Sequence, residues 1–361
     1  MHEVSNVMTT VRAVLGSKWL RVGGTAAGVA FLVHNFDMGS VGRSLLHADW
    51  HWALLALALT TIACLASVFE WGVLLRSSAG LGVRHPGGDT AAQRQHRHLF
   101  SWGRLSSSYL QSLFFAQLLP AGVGGDAMRT VEMGRVVGHG KVLASLAGSR
   151  MAGTMGMAFW GLAAAVLLRG WIGIGSLVGA CVFAGVMVLA WMAALAADRI
   201  VGRHVLERSS RAFLRTLHSF AQTFSGYRRH PHALAQCILV GAAGWGINIL
   251  ALDIFARALG ADISWTVFAV AIPVTLVATL APFSVNGLGI REGVLVGMLT
   301  HAGVSTGHAA AIAVLVDIQM LPFGILGAGL WMRHRHREGA AGPPEVAQAQ
   351  AAAAREVITS L

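Results

Sequence analysis

Residues 282–292 read PFSVNGLGIRE, and residues 119–129 read LPAGVGGDAMR. Each stretch interrupts a long apolar region with a proline, several glycines and then an arginine. Arg129 follows Pro120 by nine residues, as Arg291 follows Pro282, and Gly125 and Gly287 each stand five after the proline. Glycine at matched places signals a positive φ or a close backbone approach. Broken apolar segments at corresponding places in two halves of a chain point to a transporter-type binding site built on discontinuous helices.

The surrounding composition agrees. Of 361 residues, 55% are hydrophobic and only 12% charged, with a mean hydropathy of +0.62. A soluble domain carries about 25% charged residues, so the expected class is an all-α polytopic membrane protein. Apolar runs at 19–36, 50–75, 141–168, 174–196, 232–258 and 304–332 approach or exceed the roughly 20 residues needed to span a bilayer. They give six full spans. Two further regions, 105–139 and 264–302, hold a shorter run on either side of a glycine-rich break. The first run ends without a small-residue cleavage site and is read as a retained helix. Cys64, Cys181 and Cys237 fall inside apolar segments without metal-ligand spacing and are read as packing residues.

The formal charge of +11 comes from arginine, since Lys18 and Lys141 are the only lysines. Segments 1–18, 76–104, 197–231 and 333–337 hold seventeen Arg and Lys residues, against Arg43 and Arg169 in the intervening connections. Such a bias marks cytoplasmic loops and places both termini in the cytoplasm. It explains the basic balance without nucleic acid. The sides then alternate only if 105–139 and 264–302 each enter and return on one face, from opposite faces. The expected architecture is an inverted repeat with two glycine-broken re-entrant helix pairs. Its parts are a cytoplasmic segment 1–18, a first repeat 19–168, a second repeat 169–335 and a disordered tail 336–361. Within 197–231, Phe213, Leu217, Phe220 and Phe224 recur at helical spacing among arginines, as in an amphipathic helix on an anionic cytoplasmic leaflet.

The chemistry concentrates at the two breaks. Asp126 is read as an N-cap with Arg129 in the first turn, and Ser284 or Asn286 as a cap before the helix carrying Arg291. Each glycine loop then aims a half-helix N-terminus and an arginine fork at the centre, a combination suited to phosphate. Asp126 and Glu132, at i−3 and i+3, can instead neutralise Arg129. Glu292, adjacent to Arg291, faces elsewhere on a helix, so Arg291 needs another partner. Arg150 and Asp317 lie deep in full spans, where an ionisable group is a functional candidate or half of a buried pair. The expected substrate-binding set is therefore Arg129, Arg291, Asp126, Glu292, Gly125, Gly287, Asn286, Arg150 and Asp317. Asp253 and Arg257 form a structural i,i+4 pair, and Glu70 is read as snorkelling toward the interface near Arg76. Residues 122–127 fit a dinucleotide fingerprint, but a membrane-length helical run precedes them instead of a strand, so no nucleotide site is assigned. No cofactor, metal or catalytic residue is assigned.

At Pro120–Arg129 (P-x-G-x-G-G-D-x-x-R) and Pro282–Glu292 (P-x-S-x-x-G-x-G-x-R-E) the sequence resembles the lysylphosphatidylglycerol synthase transmembrane-region family, over about 15–335. The family includes the flippase half of the multiple peptide resistance factor and stand-alone relatives, some beside hopanoid- and glycolipid-synthesis genes. The resemblance implies a multi-pass protein of the cytoplasmic membrane with paired re-entrant helices that moves lipids between leaflets. The synthase domain of the two-part proteins is read as missing, so lysyl-lipid synthesis is not expected of this chain. The leading expectation is a transporter for a polar or phosphate-bearing lipid. Arg129 and Arg291 would hold the headgroup, while Asp126 and Glu292 orient them, meet a cationic headgroup or carry a coupling proton. A lipid-carrier transferase using Asp126 or Glu292 as base is a second reading. The third is a non-catalytic partner that docks a lipid-synthesis enzyme through 76–104 and 197–231.

Overall fold

The computed structural model describes residues 39, 42–43, 46–78, 100–118, 123–167, 169–196, 212–279 and 289–341. Every regular element among them is helical, and no strand occurs. The helices are α1 (Trp50–Ser78), α2 (Trp102–Leu118), α3 (Val123–Val137), α4 (His139–Leu167), α5 (Arg169–Leu195), α6 (Ala212–Gly226), α7 (Pro231–Ala258), α8 (Trp265–Thr279), α9 (Ile290–His301), α10 (Thr306–Ile318) and α11 (Leu321–Ala341).

Among the described residues four stretches are long and apolar enough to cross a membrane: α1, α4, α7 and 306–336. They coincide with four of the expected spans. The 174–196 run lies in α5, where Cys181–Leu195 is a shorter apolar helix. The 19–36 run lies outside the described residues. Apolar side chains such as Leu54, Ile62 and Leu65 of α1, Leu189 of α5 and Ile325 of α11 remain exposed, as bilayer-facing surface requires.

The 304–332 run is not one uninterrupted helix. A turn at Gln319–Met320 separates α10 from α11. Pro322 accounts for it: proline has no amide hydrogen to donate and disfavours helical geometry just before it. The turn is held from the first half of the chain. Thr60 Oγ1 donates to Gln319 Oε1 at 3.0 Å, and Gln117 Nε2 donates to the Met320 carbonyl at 2.9 Å.

α7 packs along α1 and α4. A Cβ at Gly156 would lie 2.6 Å from the Ala242 nitrogen, and one at Gly241 would lie 3.0 Å from the Ala152 carbonyl oxygen. Small residues permit this backbone approach, as membrane helix interfaces need. One apolar core joins α7, α8, α9 and α10 around Phe268, Leu299 and Ile312; another joins α1–α4 around Trp71, Leu105 and Val142.

The amphipathic segment differs from expectation. Residues 197–211 lie outside the described residues, and the C-terminal part of α6 packs against protein. Phe224 and Tyr227 are buried against Leu74, Ala144, Trp191 and Cys237, with Phe220 beside them. Phe220, Phe224 and Tyr227 dock on protein because α1, α4 and α5 leave an apolar hollow there. Burial pushes the Tyr227 phenol above its ordinary range. At the other end, α11 continues to Ala341, past the expected start of the disordered tail at 336; residues 342–361 lie outside the described residues.

Candidate functional site

The first glycine break separates α2 from α3. α3 begins at Val123, so Asp126 occupies its first turn and is not the N-cap; the free N–H groups of that turn still favour a carboxylate there. Arg129, one turn on, reaches back to Asp126 Oδ1 at 2.8 Å. Glu132, the other expected partner, accepts from Ser108 Oγ at 2.6 Å. The Arg129 guanidinium also lies 5.0 Å from the Trp71 ring centre and 5.3 Å from that of Tyr109, a cation–π arrangement. Its Nε is buried with no hydrogen-bond partner.

Arg150 arrives from α4 and places Nε 2.7 Å from Asp126 Oδ2. Two guanidiniums thus share one carboxylate. Gly125 makes the geometry possible, since a Cβ there would stand 2.6 Å from the Ser112 carbonyl oxygen. Its role is close approach of α3 to α2, with the backbone in ordinary helical geometry.

Asp126, Arg129 and Arg150 open on a cavity of about 450 Å³ lined from both halves of the chain: Glu70 of α1, Tyr109 of α2, Trp245 and Asn248 of α7, and Leu276 of α8. Arg150 is the most accessible of the three charged groups, with 59% of its side chain exposed.

Arg291, Glu292 and Asp317 form a separate cluster that is not among the described lining residues. Gly289, at φ +87, is the N-cap of α9, in place of the expected Ser284 or Asn286; a side chain at that φ is strained, which explains glycine there. Its N–H donates to Glu292, and Arg291 Nε lies 3.2 Å from Glu292 Oε1. The neighbouring acid therefore does reach Arg291, contrary to the expectation from helical facing. The guanidinium has two ends, and its other end pairs with Asp317 of α10. Asp317 and Arg150 consequently pair with different groups, not with each other. Asn286 and Gly287 lie outside the described residues.

Two acidic readings change or hold. Asp253 and Arg257 pair at 3.1 Å, as their spacing indicates. Glu70 does not snorkel toward Arg76. It is 5% exposed and lines the cavity, while Arg76 lies over the Trp102 ring and donates to the Phe100 carbonyl. Thr60, Gln319, Trp71 and Tyr109 also escaped the sequence. Isolated polar or aromatic residues inside apolar runs were the only signal they offered.

Residues 18–327 match the family described as lysylphosphatidylglycerol synthase TM region. The chain belongs to that family. Among curated proteins, this family member is 28% identical over 109 residues to a UPF0104 membrane protein of Methanothermobacter thermautotrophicus. That match takes in 30% of the chain and 32% of the relative, so the chain spans about a third of the relative's length. No solved structure matches. Family and apolar helices together make this a helical membrane protein.

Proposed function

We propose that the chain moves an anionic, phosphate-bearing lipid headgroup between leaflets of the cell membrane through the cavity at Asp126. The observation that carries this is the charge count. Asp126 neutralises one guanidinium, yet Arg129 and Arg150 both contact it. A phosphate supplies the missing negative charge and suits the planar donor fork. Arg150, the accessible member, takes the headgroup first; Arg129, held between Trp71 and Tyr109, fixes the carboxylate. Arg291, Glu292 and Asp317 clamp α9 to α10 beside the turn whose Met320 lines the cavity.

An inverted repeat of 19–168 in 169–335 would give the cavity access to either side. Packing supports it: α2 lies against α11 and α8 against α4, which are equivalent pairs under such a repeat, and α1 lies against its own counterpart α7. Helix α9, capped at both ends, has 12 residues. At 1.5 Å per residue it is about 18 Å long, short of a hydrocarbon core of roughly 30 Å, as a member of a re-entrant pair needs to be. An apolar cleft of about 390 Å³ between α4, α5 and α8 offers room for an acyl chain, and α4 and α8 wall both it and the polar cavity.

Purified protein in liposomes, assayed with labelled phosphatidylglycerol, its lysyl ester, phosphatidic acid and a neutral glycolipid, tests the reading. Phosphate lipids should cross faster than in protein-free vesicles, Arg150→Ala should abolish the gain and Arg150→Lys should keep part of it. Arg150→Ala protein that transports at the wild-type rate would reject the headgroup site.

A further inference from the structure

Three acidic side chains are buried among the described residues: Glu70, Asp253 and Glu292. Asp253 has Arg257 and Glu292 has Arg291. No described cation pairs with Glu70, its Oε1 accepts no hydrogen bond, and it lines the same cavity as Asp126, Arg129 and Arg150. A buried carboxylate without a counter-ion is costly, whereas the neutral acid is tolerated.

We infer that Glu70 is a proton-binding site, and that a proton travels with each anionic headgroup through the cavity. The inference rests on the transport reading above. Asp126 and Glu292, the acids the sequence offered as proton carriers, are paired with arginines. Glu70 is not. With a phosphate on Arg150, the cavity's cations and anions balance, and a further charge at Glu70 would stand uncompensated, so Glu70 keeps its proton. Once the headgroup leaves, one guanidinium is in surplus. Ser149 and Gly153, which face the Glu70 carboxyl, lie on the same turns of α4 as Arg150. The surplus charge can then compensate the carboxylate, and the O–H bond breaks with release of the proton on the side the headgroup has reached. Among the described residues, the other titratable or charged groups around Glu70 are Cys64 of its own helix, Tyr109 of α2, Asp126 and Arg129 of α3, and Cys237 of α7, whose Sγ donates to the Glu70 backbone carbonyl at 3.4 Å. Only the arginines are cationic.

The test uses the full chain in liposomes containing tracer fluorescent phosphatidylglycerol, with membrane potential clamped and a gradient of one pH unit imposed. With one proton per lipid, that gradient shifts the leaflet distribution by about tenfold, the factor one pH unit represents. Wild type should show this shift. Glu70→Gln, which keeps size and loses the proton, should move lipid to an even distribution regardless of gradient, and Glu70→Asp should retain a weakened response. A wild type blind to the gradient, or a Glu70→Gln variant that responds like wild type, overturns the inference. Should wild type move no lipid at all, the transport reading fails on its own, and infrared difference spectroscopy decides Glu70 separately. A carboxylic-acid C=O band that changes on adding glycerol 3-phosphate and is lost in Glu70→Gln or displaced in Glu70→Asp supports the site; absence of such a band overturns it.

Discussion

Asp126 of α3 and Arg150 of α4 meet at 2.7 Å, Oδ2 to Nε, twenty-four residues apart in the chain. The contact binds the helix after the first glycine break to a full-length span. Asp126→Asn leaves two guanidiniums without a counter-ion and should cost roughly 1.5–3 kcal/mol, the scale of a hydrogen bond to a charged group. Thermal melts in detergent read this directly. Adding Arg150→Gln to Asp126→Asn should recover part of the loss, and equal melting of single and double variants would show that the charges are uncoupled.

At Gly125 the neighbour is rigid. A Cβ there meets the Ser112 carbonyl, a backbone atom that cannot swing aside, whereas Gly42 has nothing within 4 Å. Gly125→Val should therefore lower both the yield of folded protein and its melting temperature, while Gly42→Val leaves both unchanged. Size-exclusion profiles of the two variants side by side make the comparison.

Arg291 sits between two acids, Glu292 and Asp317. Arg291→Ala leaves both unpaired, and breaking such a pair costs about 3–5 kcal/mol where it is fully buried. With Arg291 about one-third exposed, the expected loss lies at or below the lower end of that range. Asp317→Asn in the same chain should restore part of the stability. If Arg291→Ala melts like wild type but no longer moves lipid, Arg291 belongs to the headgroup site and not to the clamp.

Phe224 is fully buried among Phe220, Trp191 and Tyr227. Phe224→Ala should destabilise by about 3–5 kcal/mol through the cavity it leaves. Adsorption of α6 to lipid alone predicts a different result: weaker binding to anionic vesicles with an unchanged melt.

The arginine distribution makes a topological prediction. In a chain freed of Cys64, Cys181 and Cys237, single cysteines at 90, 210 and 340 should react only with reagent on the cytoplasmic side. Cysteines at 42 and 262 should react from the opposite side. External labelling at 210 would reverse the orientation and remove the basis for two re-entrant pairs entering from opposite faces.

Helical class, family and most spans were legible because each belongs to a contiguous stretch. A hydrocarbon core of roughly 30 Å demands about 20 apolar residues in a row, and α1, α4 and α7 meet that demand within their own segments. The two glycine motifs were legible for the same reason, and they carried the family. The Asp253–Arg257 pair was readable too, since i,i+4 neighbours on one helix have their geometry set by the helix itself. The partners of Asp126, Arg291 and Glu70 were not. Each residue turns the helix by about 100°, so the side chain facing a given point depends on how one helix is rotated against the next. That rotation is set by contacts such as Gly156 on Ala242 and Gly125 on Ser112. Spacing within either segment does not encode it. The tertiary structure alone therefore placed Arg150 on Asp126, gave Asp317 to Arg291 and left Glu70 buried at the cavity wall with no cation paired to it among the described residues.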